Sequence, residues 1–346
     1  MWSPINMEVK PAVWLDAWDE FLGVSDSTDI ATWNDRSGLG NHFEQTNVGG
    51  GTPSRPSTNG SFFGVPCAYF SPTVGEHMSS KEHVPQLQVG TGDFLCAALI
   101  VFSSRNASAY QNIVQQKNYT SGGVGTGGLL LRRYKDDATE ENDLIGEAQG
   151  DHEQQVLVHE GSQSTDYYKL TTVIFYRKNG YMYARRDGNA VDSLDLSIDP
   201  PGDPEGGPIN LSDLRDPPSS TVSIGNLADT AEDTMAWGGY MFEVILVGDT
   251  VPDDDIYRLE GYLAHKYLKD DNDDRYTDGG SFSALVDQAG MLTRLAAGHK
   301  YKVDMPASWF GTNMACGDNS LNGGAVGELT GDCSWLISDV QDIQRG

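Results

Sequence analysis

Basic residues are scarce in this sequence: 23 Lys and Arg stand against 50 Asp and Glu over 346 residues, a net charge of −27. Such a chain repels phosphate backbones, so nucleic acid is not an expected partner. Long apolar runs are missing too. No stretch approaches the roughly 20 residues that a membrane-spanning helix requires, so membrane insertion is not expected. The opening MWSPINMEVKPAVW lacks the basic start and apolar centre of a secretory signal. Cysteine is sparse, limited to Cys67, Cys96, Cys316 and Cys333. None forms CxxC and no His lies at finger spacing, which argues against structural zinc and against a disulfide scaffold. Cys67 and Cys96 sit inside the apolar runs VPCAYF and FLCAALIVF, where a free thiol behaves as a small hydrophobe. Cys316 and Cys333 flank a Gly-rich stretch, and a bridge closing that loop stays open.

Catalytic signatures are also wanting. No GxSxG is present, and GGVGTGGLLL lacks the Lys and following helix of a phosphate loop. Glycosidase chemistry on a β-sheet calls for carboxylates at alternate positions of one strand, as in E-x-D-x-x-E, and no such string occurs. FEVILVGD carries Glu243 and Asp249, six apart and without a partner at i+2, so Glu243 is expected to be a structural contact of its strand. No catalytic residue is assigned.

What the sequence does hold is about a dozen short runs rich in Val, Ile, Phe, Tyr and Leu, separated by Gly, Asn, Asp, Pro and Ser clusters. They include AVWLDA (12–17), VPCAYF (65–70), DFLCAALIVFSS (93–104), YYKLTTVIFYRK (167–178), GYMYARRD (180–187), STVSIGNL (220–227) and GGYMFEVILVGD (238–249). There is no βαβ alternation, so the fold is expected to be all-β. Asn179-Gly180 between two runs predicts a type I′ hairpin, and Asp187-Gly188-Asn189 predicts the next turn of a meander. One helix is predicted over 253–268. Asp253 to Asp255 suit its N-terminus, Ile256, Leu259, Leu263 and Tyr267 share one face, and Lys266 and Lys269 suit the C-terminal dipole. Residues 135–153, 197–219 and 270–280 read as long loops, the last as a domain boundary.

Several stretches resemble, in order, the concanavalin A-like, laminin-G-like jelly-roll family. PAVWLDAWD and ATWNDRSGLGNHFEQ resemble its opening strand and W-x-D-x-S-G-x-G-N turn, and NGSFFGVPCAYF resembles the following strand. VSIGN and GGYMFEVILVGDTVPDDDIYRLEGYLAHKY resemble its closing strand and helix, with EGYLAHK the most specific stretch. The likeness covers residues 11–270. It implies a jelly-roll sandwich of two antiparallel sheets with one packed C-terminal helix, preceded by an arm (1–10) and followed by a small extension (271–346). The extension is expected to dock on the sandwich or on another subunit.

The family includes glycan-binding modules, adhesion domains, accessory domains of glycosidases and structural proteins of tailed phages. Without a catalytic pair or a signal peptide, and with so acidic a surface, the chain is expected to be a virion-associated structural protein. Capsid decoration, head fibre and tail appendage are the roles in view. Its expected partners are other virion proteins and surface glycans. A carbohydrate-binding module or adhesin is the alternative, and a glycoside hydrolase with an unrecognised site ranks third. Aromatics beside Asn or Asp make Tyr110, Tyr119, Tyr181, Tyr183 and Trp237 the candidate glycan contacts, whereas Trp14 and Trp33 are assigned to the core. The segment Trp33 to Asn41 packs short oxygen donors and glycines into one turn, making Asp35 and Asn41 candidate ligands of a structural calcium ion. Hydrogen-bond capping of the turn by the same residues is the competing expectation. Asp270 to Asp274 imitates a calcium-loop start, but Arg275 stands where Gly is needed, so that run is read as solvated linker.

Overall fold

The apolar run FLCAALIVF is a nine-residue strand buried on both faces, and the architecture is built around it. A computed structural model describes residues 3–45, 57–59, 66–71, 76–102, 110–116, 128–135, 142–149, 153–159, 170–197, 208–212, 221–225 and 237–267. Beyond these it describes only the short pairs Lys300–Tyr301 with Cys333–Ser334 and Ala315–Cys316 with Asn319–Ser320. The rest of the proposed 271–346 extension, Lys269 and the Asp270–Asp274 run lie outside the described residues.

In chain order the elements are β1 (Val13–Asp16), α1 (Ala17–Phe21), β2 (Thr32–Trp33), β3 (Phe43–Glu44), β4 (Ser57–Asn59), β5 (Cys67–Phe70) and β6 (Met78–Ser80). There follow β7 (Phe94–Phe102), β8 (Tyr110–Gln116), β9 (Gly128–Lys135), β10 (Asn142–Gln149), β11 (Glu153–His159) and β12 (Leu170–Lys178). The body closes with β13 (Tyr181–Arg186), β14 (Asn189–Asp195), β15 (Val222–Ile224), β16 (Gly239–Val247) and α2 (Asp253–Tyr267). One eight-stranded sheet runs β14-β13-β12-β7-β16-β5-β4, with β1 also paired to β16. The other runs β11-β10-β9-β8-β15-β6-β3-β2. Every strand pairing among the described residues is antiparallel, and the fold is a β-sandwich.

Strand alternation explains the continuous apolar runs. Along β7, Phe94, Cys96, Ala98 and Ile100 enter the core between the sheets, where Trp33 and Phe43 also lie. Leu95, Ala97, Leu99 and Val101 point the other way, into a second core with Ile256, Leu259, Leu263 and Tyr267 of α2. The sandwich is therefore three layers thick on this side, and β7 needs apolar residues at every position. Cys67 and Cys96 are buried, and burial pushes both thiols up.

The hairpin expectations hold. Asn179 (φ 53°) and Gly180 (φ 81°) join β12 to β13, and Asp187 (φ 47°) with Gly188 (φ 80°) joins β13 to β14. In VSIGN the glycine is required twice over. Gly225 has φ +87°, and a Cβ there would lie 2.4 Å from the Phe70 ring.

Two local expectations are corrected. Residues 135–153 are not one long loop, because β10 (Asn142–Gln149) lies within them, paired to β9 and β11. AVWLDA is not strand throughout: the chain turns into α1 at Ala17 because the Asp16 carboxylate caps it, accepting from the Asp19 N–H at 3.3 Å. Residues 3–10 of the arm pack on the body. Met7 enters the second core, and the Glu8 N–H donates to Asp255 Oδ2 at 2.7 Å. Among the described residues no helix is long and apolar enough to cross a membrane.

Candidate functional site

β1 places Trp14 and Asp16 two apart, so both project from the same face of the sheet, toward α2. The register sets Asp16 directly opposite Glu243 of β16. A register shift between Met241 and Glu243 re-aims β16 there, and both Phe242 and Glu243 reach the helix. Lys266, on the last turn of α2, is only 3% exposed. Its ammonium lies 2.7 Å from Asp16 Oδ1 and donates to Glu243 Oε2 and the Tyr262 hydroxyl, each at 2.8 Å. Glu243 is fully buried and receives two further donors, Trp14 Nε1 on Oε1 at 2.7 Å and the Tyr267 hydroxyl on Oε2 at 2.9 Å.

Burial is the main cause that pushes Glu243 up to about 7. The Lys266 charge pulls it down and the Asp16 charge raises it further. Burial likewise holds the Tyr262 and Tyr267 hydroxyls well above the usual phenol range. Farther up the helix, Arg185 of β13 grips Glu260 through Nε–Oε1 at 2.6 Å and Nη2–Oε2 at 3.0 Å. Lys178 meets Asp253 at 2.7 Å. Among the described residues, three ion-pair sites thus fasten α2 along its length to the outer face of the sheet. EGYLAHKY is the sequence of that fastening: Glu260, Tyr262, Leu263, Lys266 and Tyr267 all face inward. Lys266 does not cap the helix dipole in solvent, as the sequence suggested. The expectation that Glu243 is a structural contact agrees with its placement.

The W-x-D-x-S-G-x-G-N turn is likewise a closed set of hydrogen bonds. Asp35 Oδ1 accepts from the Trp14 N–H at 2.9 Å and the Ser37 N–H at 3.0 Å, and Oδ2 accepts from the Ser37 hydroxyl at 2.6 Å and the Asn41 N–H at 2.9 Å. Asn41 Nδ2 donates to the Ala12 carbonyl at 2.8 Å, and Gly38 (φ +88°) and Gly40 (φ +78°) take left-handed conformations. These are the hydrogen bonds that the capping alternative expects, with four hydrogens aimed at the Asp35 carboxylate. Among the described residues no group of three or more His, Cys, Asp or Glu is placed to share a metal ion.

Above this network lies an open cleft of about 690 Å³, between the N-terminal segment, α1, the 34–36 turn and the last turns of α2. Trp14, Asp16, Tyr262 and Lys266 line it, with Asp19, Glu20 and Arg36 also on its walls. Arg36 sits 5.7 Å over the Trp14 ring and pairs with Asp19 at 3.1 Å.

The aromatic candidates separate. Tyr119 and the side chain of Tyr110 lie outside the described residues. Trp237 is fully buried, packed against Phe70 and Phe102 at 5.7 and 6.3 Å, and offers no surface to a ligand. Tyr181 and Tyr183 do come together. Tyr183 stacks on Tyr176 at 5.0 Å and 22°, and Tyr181 continues the stack at 5.9 Å and 29°. Tyr181 ends the row 38% exposed, beside Asp195. The hydrogen bond to Asp195 is the first cause raising the Tyr181 phenol, and Asp195 is itself held low, chiefly by the Ser197 hydroxyl at 2.6 Å. Sequence reasoning missed Tyr176, although its place directly opposite Tyr183 follows from the Asn179-Gly180 hairpin.

No family profile and no curated protein matches the chain. Solved structures that resemble it include the binding domain of botulinum neurotoxin serotype G, at 12% identity and TM-score 0.49 over 76% of this chain and 53% of that one. A GH54 α-L-arabinofuranosidase matches at 13% identity and TM-score 0.46, over 75% of this chain and 59% of that one. Domain 4 of AbnA, a GH43 extracellular arabinanase from Geobacillus stearothermophilus, matches at 8% identity and TM-score 0.45, over 73% and 99%. The chain spans about half the length of the first of these.

Proposed function

We propose that this chain is a non-catalytic, concanavalin A-like carbohydrate-binding protein serving as a structural component of a tailed-phage virion. The observation that carries the binding part is the row Tyr176–Tyr183–Tyr181, whose exposed end stands beside Asp195. An open aromatic face with an adjacent carboxylate matches the two halves of a sugar, its apolar C–H face and its hydroxyl rim. The virion part rests on the sequence resemblance and on an acidic surface suited to saline surroundings. Capsid and tail genes beside this one would support it, and a neighbourhood of polysaccharide-degradation genes would favour a cellular binding module or adhesin.

Glycan arrays test the binding directly. The full chain is expected to retain a defined set of glycans, and Tyr181→Ala is expected to weaken retention about tenfold by removing a stacking contact of about 1–1.5 kcal/mol. Equal retention by wild type and variant contradicts the assignment.

A hydrolase reading has one observation in its favour, the juxtaposition of Asp16 and Glu243 on neighbouring strands. Against it, Lys266 neutralises the pair and every contact of Glu243 is internal. Reducing-end release from the bound glycans, lost in Glu243→Gln, would establish hydrolysis.

A further inference from the structure

We propose that the Tyr181 shelf selects glycans by charge, taking those whose hydroxyl groups donate to Asp195 and Tyr181 and rejecting those that bring a carboxylate or sulfate there. The selection rests on the glycan reading of the same shelf and names the class of sugar it takes. Asp195 stands directly opposite Tyr181 in the β13–β14 pairing. Its Oδ1 accepts the Ser197 N–H at 2.9 Å and the Ser197 hydroxyl at 2.6 Å, which fixes the carboxylate beside the ring. The Tyr181 hydroxyl donates to the same carboxylate. Its one proton is thereby committed, and only acceptor lone pairs remain on the phenol. A carboxylate has room for about four hydrogen bonds, so Asp195 also presents acceptors. Tyr181 and Asp195 thus offer lone pairs and no hydrogens. A sugar hydroxyl can donate to them, whereas an anionic oxygen would be left without a donor.

The charges around the row agree. Among the described residues, the cations beside it are Lys178 and Arg185, and each is already paired with a carboxylate of α2. Lys178, opposite Tyr181 on β12, donates to Asp253 at 2.7 Å. Arg185 holds Glu260 through two hydrogen bonds and lies 5.1 Å over the Tyr257 ring. Asp195 faces no cation among the described residues. Asp93 adds a further carboxylate at the hairpin tip, where it accepts from the Thr250 hydroxyl at 2.8 Å and the Asn179 N–H at 3.4 Å. An acidic sugar therefore meets negative charge at the shelf, and the −27 of the whole chain adds to it.

Retention of the full chain on matched glycans that differ only in charge tests this. The probes are pectin oligosaccharides as methyl ester and as free acid, lactosamine chains with and without terminal sialic acid, and cello-oligosaccharides with and without sulfate. The uncharged member of a retained pair is expected to outbind its acidic counterpart about fivefold at low ionic strength, and by less as salt rises. Asp195→Asn supplies a donor and removes the charge. It is expected to weaken the uncharged member about threefold and to abolish the preference. Asp253→Asn releases Lys178 and is expected to raise retention of the acidic member about threefold. Both carboxylates reach the surface, and a merely structural defect would lower both members of a pair alike. Equal or stronger retention of the acidic member, lost in Tyr181→Ala, would overturn charge selection and leave the glycan site standing. So would a preference unchanged in Asp195→Asn. Absence of retention, or retention that Tyr181→Ala does not alter, would overturn the glycan reading and the selection with it.

Discussion

Lys266→Met is expected to destabilise the fold by about 3–5 kcal/mol, the cost of removing one partner from a buried ionic group. The methionine fills the space of the lysine stem, so the loss is electrostatic: Asp16 and Glu243 stay buried opposite each other without their shared cation. The defect is also expected to depend on pH. Burial already raises Glu243 from 4.5 to about 7, and removing the lysine takes away the main influence that lowers it. A folded-state value above the unfolded one means the folded protein holds the extra proton between them. The stability tied to that proton is present below about 4.5 and lost as pH rises through about 7. In the variant the loss continues to higher pH, so the gap from wild type should widen from pH 5 to pH 8. Urea unfolding at both values measures it. A gap that narrows toward pH 8 contradicts the assignment of Lys266 as counter-charge.

Asp35→Ala is expected to cost about 2–4 kcal/mol, because it leaves a set of donors without their acceptor. One of these is the Trp14 N–H of β1, so the damage reaches the sheet as well as the turn. Asp35→Asn keeps the shape but replaces one oxygen with a donor, and should recover only part of the loss. Thermal melts with and without a chelator separate hydrogen-bond capping from a structural calcium ion. The contacts predict the same melting temperature in both. A chelator-induced fall that is abolished in Asp35→Ala would favour the cation.

Much of the framework was legible because its signals are local. Alternating apolar runs, the Asn179-Gly180 turn and the 3.6-residue spacing of Ile256, Leu259 and Leu263 each depend on neighbours a few residues away. Trp14 and Trp33 were placed in the core by the same logic. The carboxylate pair was not legible. Asp16 and Glu243 meet only through the register of strands at opposite ends of the body, and a search along single strands passes over such a pair. Lys266 misled for a related reason: at a helix end its sequence context is that of a dipole-capping residue, and only the partners across the layer turn it inward. Trp237 was named as a candidate glycan contact. Its burial follows from Phe70 and Phe102 on two other strands, contacts no local window contains.

The family-like motifs themselves have a common explanation. Trp14, Asp16, Asp35, Gly225, Glu243, Glu260 and Lys266 all hold elements together, so the motifs that made the fold readable say little about the ligand. A double-mutant cycle on Lys266→Met and Glu243→Gln, read by equilibrium unfolding at pH 8, tests that structural role most directly. If the network is a lock between helix and sheet, the two substitutions are coupled by more than about 1 kcal/mol and glycan retention is unchanged in both single variants. Additive losses within about 0.3 kcal/mol, together with loss of ligand binding or turnover in Glu243→Gln, would show that Glu243 serves the ligand and that the network is not a lock.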